Sequence, residues 1–289
     1  MLAPAMASFV HDGQRLHYAV YGEGPRPLML LPGLLFSQKM HVPLARTLGE
    51  RGHRVITLDL LGHGRSERPR DMWRYSMPIF ATQVVGLLDH LELDEAVVGG
   101  TSLGANATLE VASLAPDRLR GMLIEMPVLD NALLASAMFF TPMMVALTFG
   151  EPAMKVVAAM ARRVPAEVTP YWIDVMLDLV RQEPGPSAAL IQGLFFGRVA
   201  PHRSERRTFT APALVIGHHR DPIHPFSDAG MLAEELPDGR LLEAESLIEL
   251  RLAPERLTGE IAGFLDDCWK PRKATSRRAG RRAGSRKAS

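Results

Sequence analysis

The chain has 289 residues, of which 47% are hydrophobic and 22% charged. This composition is ordinary for a globular protein, and it allows a sizeable core in one large α/β domain or two smaller ones. The net charge is only +1, and the single cysteine excludes an internal disulfide framework and fits a reducing compartment, so we predict a cytoplasmic protein.

Strand and helix signals alternate along the first 126 residues. Alternating apolar residues around an Asp12-Gly13 turn predict a hairpin over 8–21. Short apolar runs then alternate with segments of helical spacing. We predict strands over 27–31 and 53–60, at Val97 and over 119–125, and helices over 38–51, 77–91 and 106–114.

The segment 127–208 is rich in Met, Ala and Leu and contains no convincing strand, so we predict a helical cap. Within it, residues 132–150 carry no charge over a length that would span a bilayer. Pro142 interrupts this run, no Lys or Arg flanks it closely, and it lies between two predicted sheet strands. We therefore expect helices broken near Pro142 that pack over the sheet.

Strand and helix signals resume after the cap, with strands over 213–216 and 240–244 and helices over 227–236 and 254–269. This order predicts an α/β fold, a mostly parallel sheet with helices on both faces. The predicted domains are an α/β core over 1–126 and 209–269, the helical cap over 127–208 and a disordered basic tail over 270–289.

The tail prediction rests on composition. Residues 270–289 contain nine Lys or Arg and no acidic residue, and no large apolar residue follows Trp269. Such a segment cannot bury a core, so we interpret it as a solvated tail. Peripheral attachment to anionic lipid or weak attachment to nucleic acid is the alternative, and no specific nucleic-acid partner is expected.

The most informative stretch follows the Val97 strand and reads Gly100-Thr101-Ser102-Leu103-Gly104. A Gly-x-Ser-x-Gly sequence between a strand and a helix is typical of a nucleophile elbow, a sharp turn that exposes the serine oxygen. Side chains at the two glycine positions would collide across so tight a bend. Ser102 is therefore the candidate nucleophile.

Four motifs in order give the chain its resemblance to the α/β-hydrolase fold family. They are Pro32-Gly33-Leu34, the run Asp59-Leu60-Leu61-Gly62-His63-Gly64-Arg65-Ser66, the elbow at Ser102, and Gly217-His218-His219-Arg220-Asp221-Pro222. The resemblance implies that Ser102 attacks an acyl carbon and that the backbone N–H groups of Leu34 and Leu103 form the oxyanion hole. It also implies that Asp221 is the acid that orients a histidine.

The sequence departs from that family at the base. The family carries its catalytic histidine after the last strand, but residues 244–250 contain none, and Leu247 or a neighbour stands in that place. Leucine cannot take and return the serine proton. We take His224, three residues after Asp221, as the candidate base. The alternatives are His218, His219 and His63 as bases and Glu125 as acid.

The cap indicates the substrate class. Met138, Phe139, Met143 and Met144 are predicted to line an adaptable apolar pocket for a small lipophilic substrate. No metal or nucleotide-cofactor motif is present, so we expect neither. The sequence favours a cofactor-free serine hydrolase of esters, lactones or related acyl bonds. The alternatives are a catalytically impaired binding or scaffold protein, and a lyase or isomerase on the same fold.

Overall fold

The computed structural model describes residues 4–246 and 249–271. Leu247 and residues 272–289 of the basic tail lie outside the described residues. The strands are β1 (Ala5–His11), β2 (Gln14–Tyr21), β3 (Pro27–Leu31), β4 (Arg54–Asp59), β5 (Ala96–Thr101), β6 (Leu119–Glu125), β7 (Ala213–His218) and β8 (Gly239–Ala244). The helices are α1 (Val42–Glu50), α2 (Met77–His90), α3 (Leu103–Leu114), α4 (Leu133–Phe149), α5 (Glu151–Arg162), α6 (Tyr171–Arg181), α7 (Pro184–Phe196), α8 (Arg203–Arg206), α9 (Phe226–Glu235), α10 (Glu249–Leu252) and α11 (Glu255–Cys268).

The eight strands form one sheet in the order β1-β2-β4-β3-β5-β6-β7-β8. β1 and β2 pair antiparallel, as does β2 with β4, whereas the pairs from β4 through β8 are parallel. Strands β3, β5, β6 and β7 are buried along their whole length. This mostly parallel sheet confirms the predicted fold class. Its central strands are buried because a parallel sheet is covered by helices on both faces.

Two apolar cores account for that covering. Helices α2 and α3 pack on one face through residues such as Phe80 and Leu109. Helices α1 and α11 pack on the other through Leu48 and Phe264. The predicted hairpin is also present, and its turn residues Asp12 and Gly13 have φ values of 48° and 73°.

Helices α4 to α8 lie in the chain between β6 and β7. The expected break near Pro142 is wrong, because α4 runs through Pro142 and the chain bends by 100° between α4 and α5 instead. A proline at 142 removes the N–H donor to the carbonyl of Met138, and Met138 is largely exposed, so water can replace the missing donor. Gly150 stands at the bend, where a Cβ would lie 2.6 Å from the carbonyl oxygen of Ala146.

Among the described residues, no single helix is long and apolar enough to cross a membrane. Only α4 and α5 together reach the necessary length and composition, and they are bent against each other.

The elbow glycines give the first testable prediction. A Cβ on Gly104 would lie 2.3 Å from the carbonyl oxygen of Leu31 on the neighbouring strand, whereas a Cβ on Gly259 in α11 would meet nothing within 4 Å. Gly104→Ala should therefore lower the free energy of unfolding by about 2 kcal/mol or more. Gly259→Ala, the matched control in an exposed helix position, should raise it by about 0.5 kcal/mol.

Urea unfolding monitored by circular dichroism measures both changes. Equal stability of the two variants would contradict the close approach of α3 to β3.

Candidate active site

Ser102 lies between the end of β5 and the start of α3, with φ 54° and ψ −109°. A non-glycine residue in this left-handed region is strained, and neighbouring hydrogen bonds hold it there. The Ser102 N–H donates to the carbonyl of Glu125 at 2.9 Å, and its own carbonyl accepts from the N–H of Asn106 at 3.0 Å. This backbone geometry is the one a nucleophile elbow requires.

Asp221 and His224 lie on a single turn between β7 and α9. Asp221 Oδ1 accepts the backbone N–H groups of Ile223 at 2.8 Å and of His224 at 3.0 Å. Its other carboxylate oxygen, Oδ2, lies 2.8 Å from Nδ1 of His224. The carboxylate therefore fixes the turn and orients the imidazole at the same time.

The same imidazole reaches the serine. His224 Nε2 lies 2.9 Å from Ser102 Oγ, although the two residues are 122 positions apart. If Nδ1 donates its proton to Asp221, Nε2 of the neutral ring is left as an acceptor for the serine hydroxyl. The structure thus brings Ser102, His224 and Asp221 into one chain of hydrogen bonds, the arrangement by which a serine is activated.

The charge of Asp221 matches this role. Burial alone would raise the pKa of the Asp221 carboxyl, but the hydrogen bond and charge of His224, with two backbone N–H donors, lower it below its ordinary value. Asp221 is therefore ionised at neutral pH, and its carboxylate can accept a hydrogen bond from Nδ1 of His224.

The backbone N–H groups of Leu34 and Leu103 are the predicted donors to an oxyanion. Leu34 and Leu103 line one cavity with the serine. Leu103 begins α3, so its N–H has no acceptor within the helix. Over residues 4–246 and 249–271, neither of these two amides has a hydrogen-bond acceptor.

The other candidate histidines have different partners. His63 is buried, its Nδ1 contacts the carbonyl of Leu61, and burial lowers its pKa to about 4. His219 is exposed and stacks on Phe226. His218 Nδ1 lies 2.9 Å from the carbonyl of Ser246, which follows the last strand. These contacts leave His224 as the histidine beside the serine.

Glu125 belongs to a buried ionic cluster behind the serine. Its carboxylate accepts from Arg251 at 2.6 Å and from the hydroxyl of Thr101, and its Oε1 lies 3.3 Å from Nε2 of His218. Burial alone would raise the pKa of Glu125, but Arg251 and His218 hold it far below its ordinary value. Among the described residues, Glu125 has no contact with His224. It forms ion pairs with Arg251 and His218 instead of orienting the candidate base.

A cavity of about 240 Å³ opens beside Ser102, and its walls are almost entirely apolar. α4 contributes Leu133, Ser136, Ala137 and Phe140, and α7 contributes Ile191, Leu194 and Phe195. The predicted pocket residues are corrected here, because none of the four lines this cavity. Met138 and Phe139 are mostly exposed, and Met143 and Met144 pack against the main core.

Two polar residues that the sequence did not single out hold the cavity in shape. Asn106 of α3 donates to the carbonyls of Val128 and Val199 at 2.7 and 2.8 Å, joining the two ends of the inserted segment. Asp228 of α9 accepts the amides of Leu129 and Ala132 at 2.8 and 3.0 Å, just before α4. Both are fully buried, and only their proximity in sequence to Ser102 and His224 could have drawn attention to them.

A family sequence model described as the alpha/beta hydrolase fold matches residues 26–176, just over half of the chain. The chain therefore belongs to the α/β-hydrolase fold family, as the four motifs indicated. The match covers three of those motifs, Pro32-Gly33-Leu34, the run that begins at Asp59 and the Gly-x-Ser-x-Gly sequence at Ser102.

Individual relatives differ in activity. The chain is 33% identical over 267 residues to the dihydrolipoyllysine-residue acetyltransferase component of the acetoin cleaving system of Pseudomonas putida, covering 84% of this chain and 64% of that protein. It is 30% identical over 115 residues to bifunctional epoxide hydrolase 2 of Sus scrofa, covering 39% of this chain and 20% of that protein. The chain thus spans less than two thirds of either relative.

Among solved structures, the enol-lactonase from Burkholderia xenovorans LB400 superposes with a TM-score of 0.73 at 24% sequence identity. The alignment covers 90% of this chain and 100% of that one. At this identity the likeness shows a shared fold only.

The Glu125 cluster gives a prediction about pH and stability. Burial alone would lower the pKa of His218, but the neighbouring Glu125 carboxylate raises it above its ordinary value of 6.5. A raised pKa stabilises the fold fully below pH 6.5, and this contribution is lost as the pH rises through the folded-state pKa. The difference in melting temperature between wild type and His218→Gln should therefore be largest in weak acid and shrink towards alkaline pH.

Thermal melts from about pH 5 to about pH 9 measure this difference. The matched control is His219→Gln, since His219 and its partner Glu243 are both more than half exposed and such pairs add little stability. A His218→Gln deficit that stays constant over the whole range would contradict a charged His218.

Proposed function

We propose that this protein is a cofactor-free serine hydrolase that cleaves esters, lactones or related acyl bonds of small lipophilic substrates. Ser102 is the nucleophile, His224 the general base and Asp221 the acid that orients it. The observation that supports the proposal is the chain of contacts from Ser102 Oγ to His224 Nε2 at 2.9 Å and from His224 Nδ1 to Asp221 Oδ2 at 2.8 Å.

The chemistry runs in two halves. Ser102 Oγ attacks the acyl carbon while its proton passes to His224 Nε2, and the negative charge on the former carbonyl oxygen is stabilised by the N–H groups of Leu34 and Leu103. The imidazolium then protonates the leaving alkoxide, and an acyl-serine ester remains. Water then attacks that ester as the same imidazole takes its proton, the bond between the acyl carbon and Oγ breaks to release a carboxylic acid, and the imidazolium returns the proton to Ser102 Oγ.

The argument for a catalytically impaired binding protein was the missing histidine after the last strand. His224, on the turn that carries Asp221, can serve as the base in place of that histidine. Proton transfer depends on the distance to the serine and not on where the histidine lies in the sequence. The lyase and isomerase alternatives have no observation of their own in their favour.

Substitutions in the triad test the proposal. Ser102→Ala and His224→Gln should each lower kcat for p-nitrophenyl butyrate by about 10⁴-fold or more, because the nucleophile or its base is lost. Asp221→Asn should lower kcat by about 10⁴-fold, since the imidazole loses its orientation and its ionic partner.

His219→Gln is the matched control and should keep the wild-type rate. A wild-type enzyme that turns over acyl esters at the same rate without His224 would contradict the assigned base. Absence of any acyl hydrolysis by the wild type would overturn the proposed function.

The cavity wall tests the substrate class. Ala137 faces the cavity, whereas Ala146 on the same helix is exposed. Ala137→Phe should reduce kcat/KM for p-nitrophenyl octanoate by about tenfold relative to p-nitrophenyl acetate, because the added ring takes space that the longer chain needs. The matched substitution Ala146→Phe should leave the ratio of the two substrates unchanged, and an equal effect of both variants would place the acyl chain elsewhere.

A further inference from the structure

The cap carries an apolar surface that the proposed chemistry does not use. We define the outer cap face by six side chains, each between 45% and 82% exposed. They are Leu134, Met138, Val145 and Phe149 on α4, with Val156 and Met160 on α5. Scattered exposed apolar residues are normal on a soluble protein, but a group of large ones on two consecutive helices marks an interaction surface.

The spacing on α4 makes this face continuous. At 100° per residue, the side chains of Leu134, Met138, Val145 and Phe149 fall within about 60° of one another around the helix axis. Between them lie Thr141 and Pro142, which are also exposed and carry no charge. α4 therefore presents an uncharged stripe along its whole length, away from the side that bears Leu133, Ala137 and Phe140.

The charges around the stripe indicate what covers it. α4 contains no charged residue, and the segment that follows, through 163, contains the cations Lys155, Arg162 and Arg163 against the single acid Glu151. Glu151 is already paired with Arg70 and with Lys155. Arg163 is exposed and stands three residues after Met160, a spacing that puts both on one side of the helix, so the apolar face borders a positive charge.

We propose that the outer cap face docks on the surface of an anionic phospholipid bilayer. An apolar stripe beside Lys and Arg is the arrangement by which a helix lies in the membrane interface, with its side chains among the acyl chains and its cations at the headgroups. The docking does not rest on the hydrolase activity. It places α4 between the bilayer and the cavity beside Ser102, so a lipophilic substrate dissolved in the membrane lies one helix away from the serine.

The basic tail does not explain this surface. Arg120, near the start of β6, donates to the carbonyl of Lys270 at 2.6 Å. Residue 270 therefore lies where the parallel strands begin, whereas Ser102 lies where they end. All variants below keep the full chain, and the tail therefore contributes equally to each. Differences between variants report on the cap alone.

Co-sedimentation with vesicles tests the proposal, using equal parts phosphatidylcholine and phosphatidylglycerol against phosphatidylcholine alone. The wild type should bind the anionic vesicles. The double variant Met138→Ser with Phe149→Ser should weaken binding by about tenfold or more, because two large apolar side chains no longer enter the acyl region. Arg163→Gln should weaken binding to anionic vesicles and reduce its dependence on salt.

The matched control is Val10→Ser with Leu114→Ser, which removes two similarly exposed apolar side chains outside the cap. This control should bind vesicles as the wild type does, and all variants should hydrolyse dissolved p-nitrophenyl butyrate at the wild-type rate, which shows that they are folded. Melting temperatures serve the same purpose if the protein hydrolyses no ester, so a failed function and a failed docking surface remain distinguishable.

Vesicle binding that is unchanged in the Met138→Ser, Phe149→Ser variant would overturn the proposal and leave the tail as the source of binding. No vesicle binding by the wild type would overturn it as well. A wild-type dimer that this variant converts to a monomer in light scattering, without vesicle binding, would show that the face joins two copies of the chain.

Discussion

The site depends on one local interaction, the contact between the Asp221 carboxylate and the His224 imidazole three residues further on. One carboxylate oxygen closes the turn by accepting two backbone amides, and the other orients the ring. Because Pro222 lies within the turn and Pro225 follows it directly, few backbone conformations are available to the turn. Acid and base are therefore positioned by four residues of sequence, and only the approach to Ser102 requires the whole fold.

With the base beside Asp221, the residues after β8 need not supply a catalytic histidine. In the residues after β8 that the structure describes, Ser246 accepts from His218 and Arg251 pairs with Glu125. Both contacts belong to the buried ionic cluster around Glu125, the last residue of β6. The backbone carbonyl of Glu125 also accepts the N–H of Ser102. This region thus supports the strained elbow from behind. A buried carboxylate is tolerated there because Arg251 and His218 balance its charge.

Much of the fold could be predicted from the sequence, because the signals were local. The alternation of short apolar runs with helical spacing gave a parallel sheet, and the predicted strand 119–125 matches β6 residue for residue. Gly100 and Gly104 identified the elbow because backbone atoms of Leu31 approach both positions closely. His224 could be suggested as a base because it stands three residues from Asp221, but its distance to Ser102 depends on tertiary packing.

The cap was harder to predict for a physical reason. α4 is apolar on all sides, so its periodicity does not show which face turns inward. The sequence therefore predicts Met138 and Phe139 in the pocket, whereas Ala137 and Phe140 line it. The roles of Asn106 and Asp228 depend on partners far away in the sequence, and a polar residue within a helix gives no local sign of such contacts.

The central claim is that His224 activates Ser102, and labelling with a fluorophosphonate followed by intact-protein mass spectrometry tests it most directly. The wild type should gain one phosphonyl group, located on Ser102 by peptide mapping, and His224→Gln should react at least about a hundredfold more slowly while His219→Gln reacts at the wild-type rate. Equally fast labelling of Ser102 in the His224→Gln variant, or labelling at another residue, would contradict the claim.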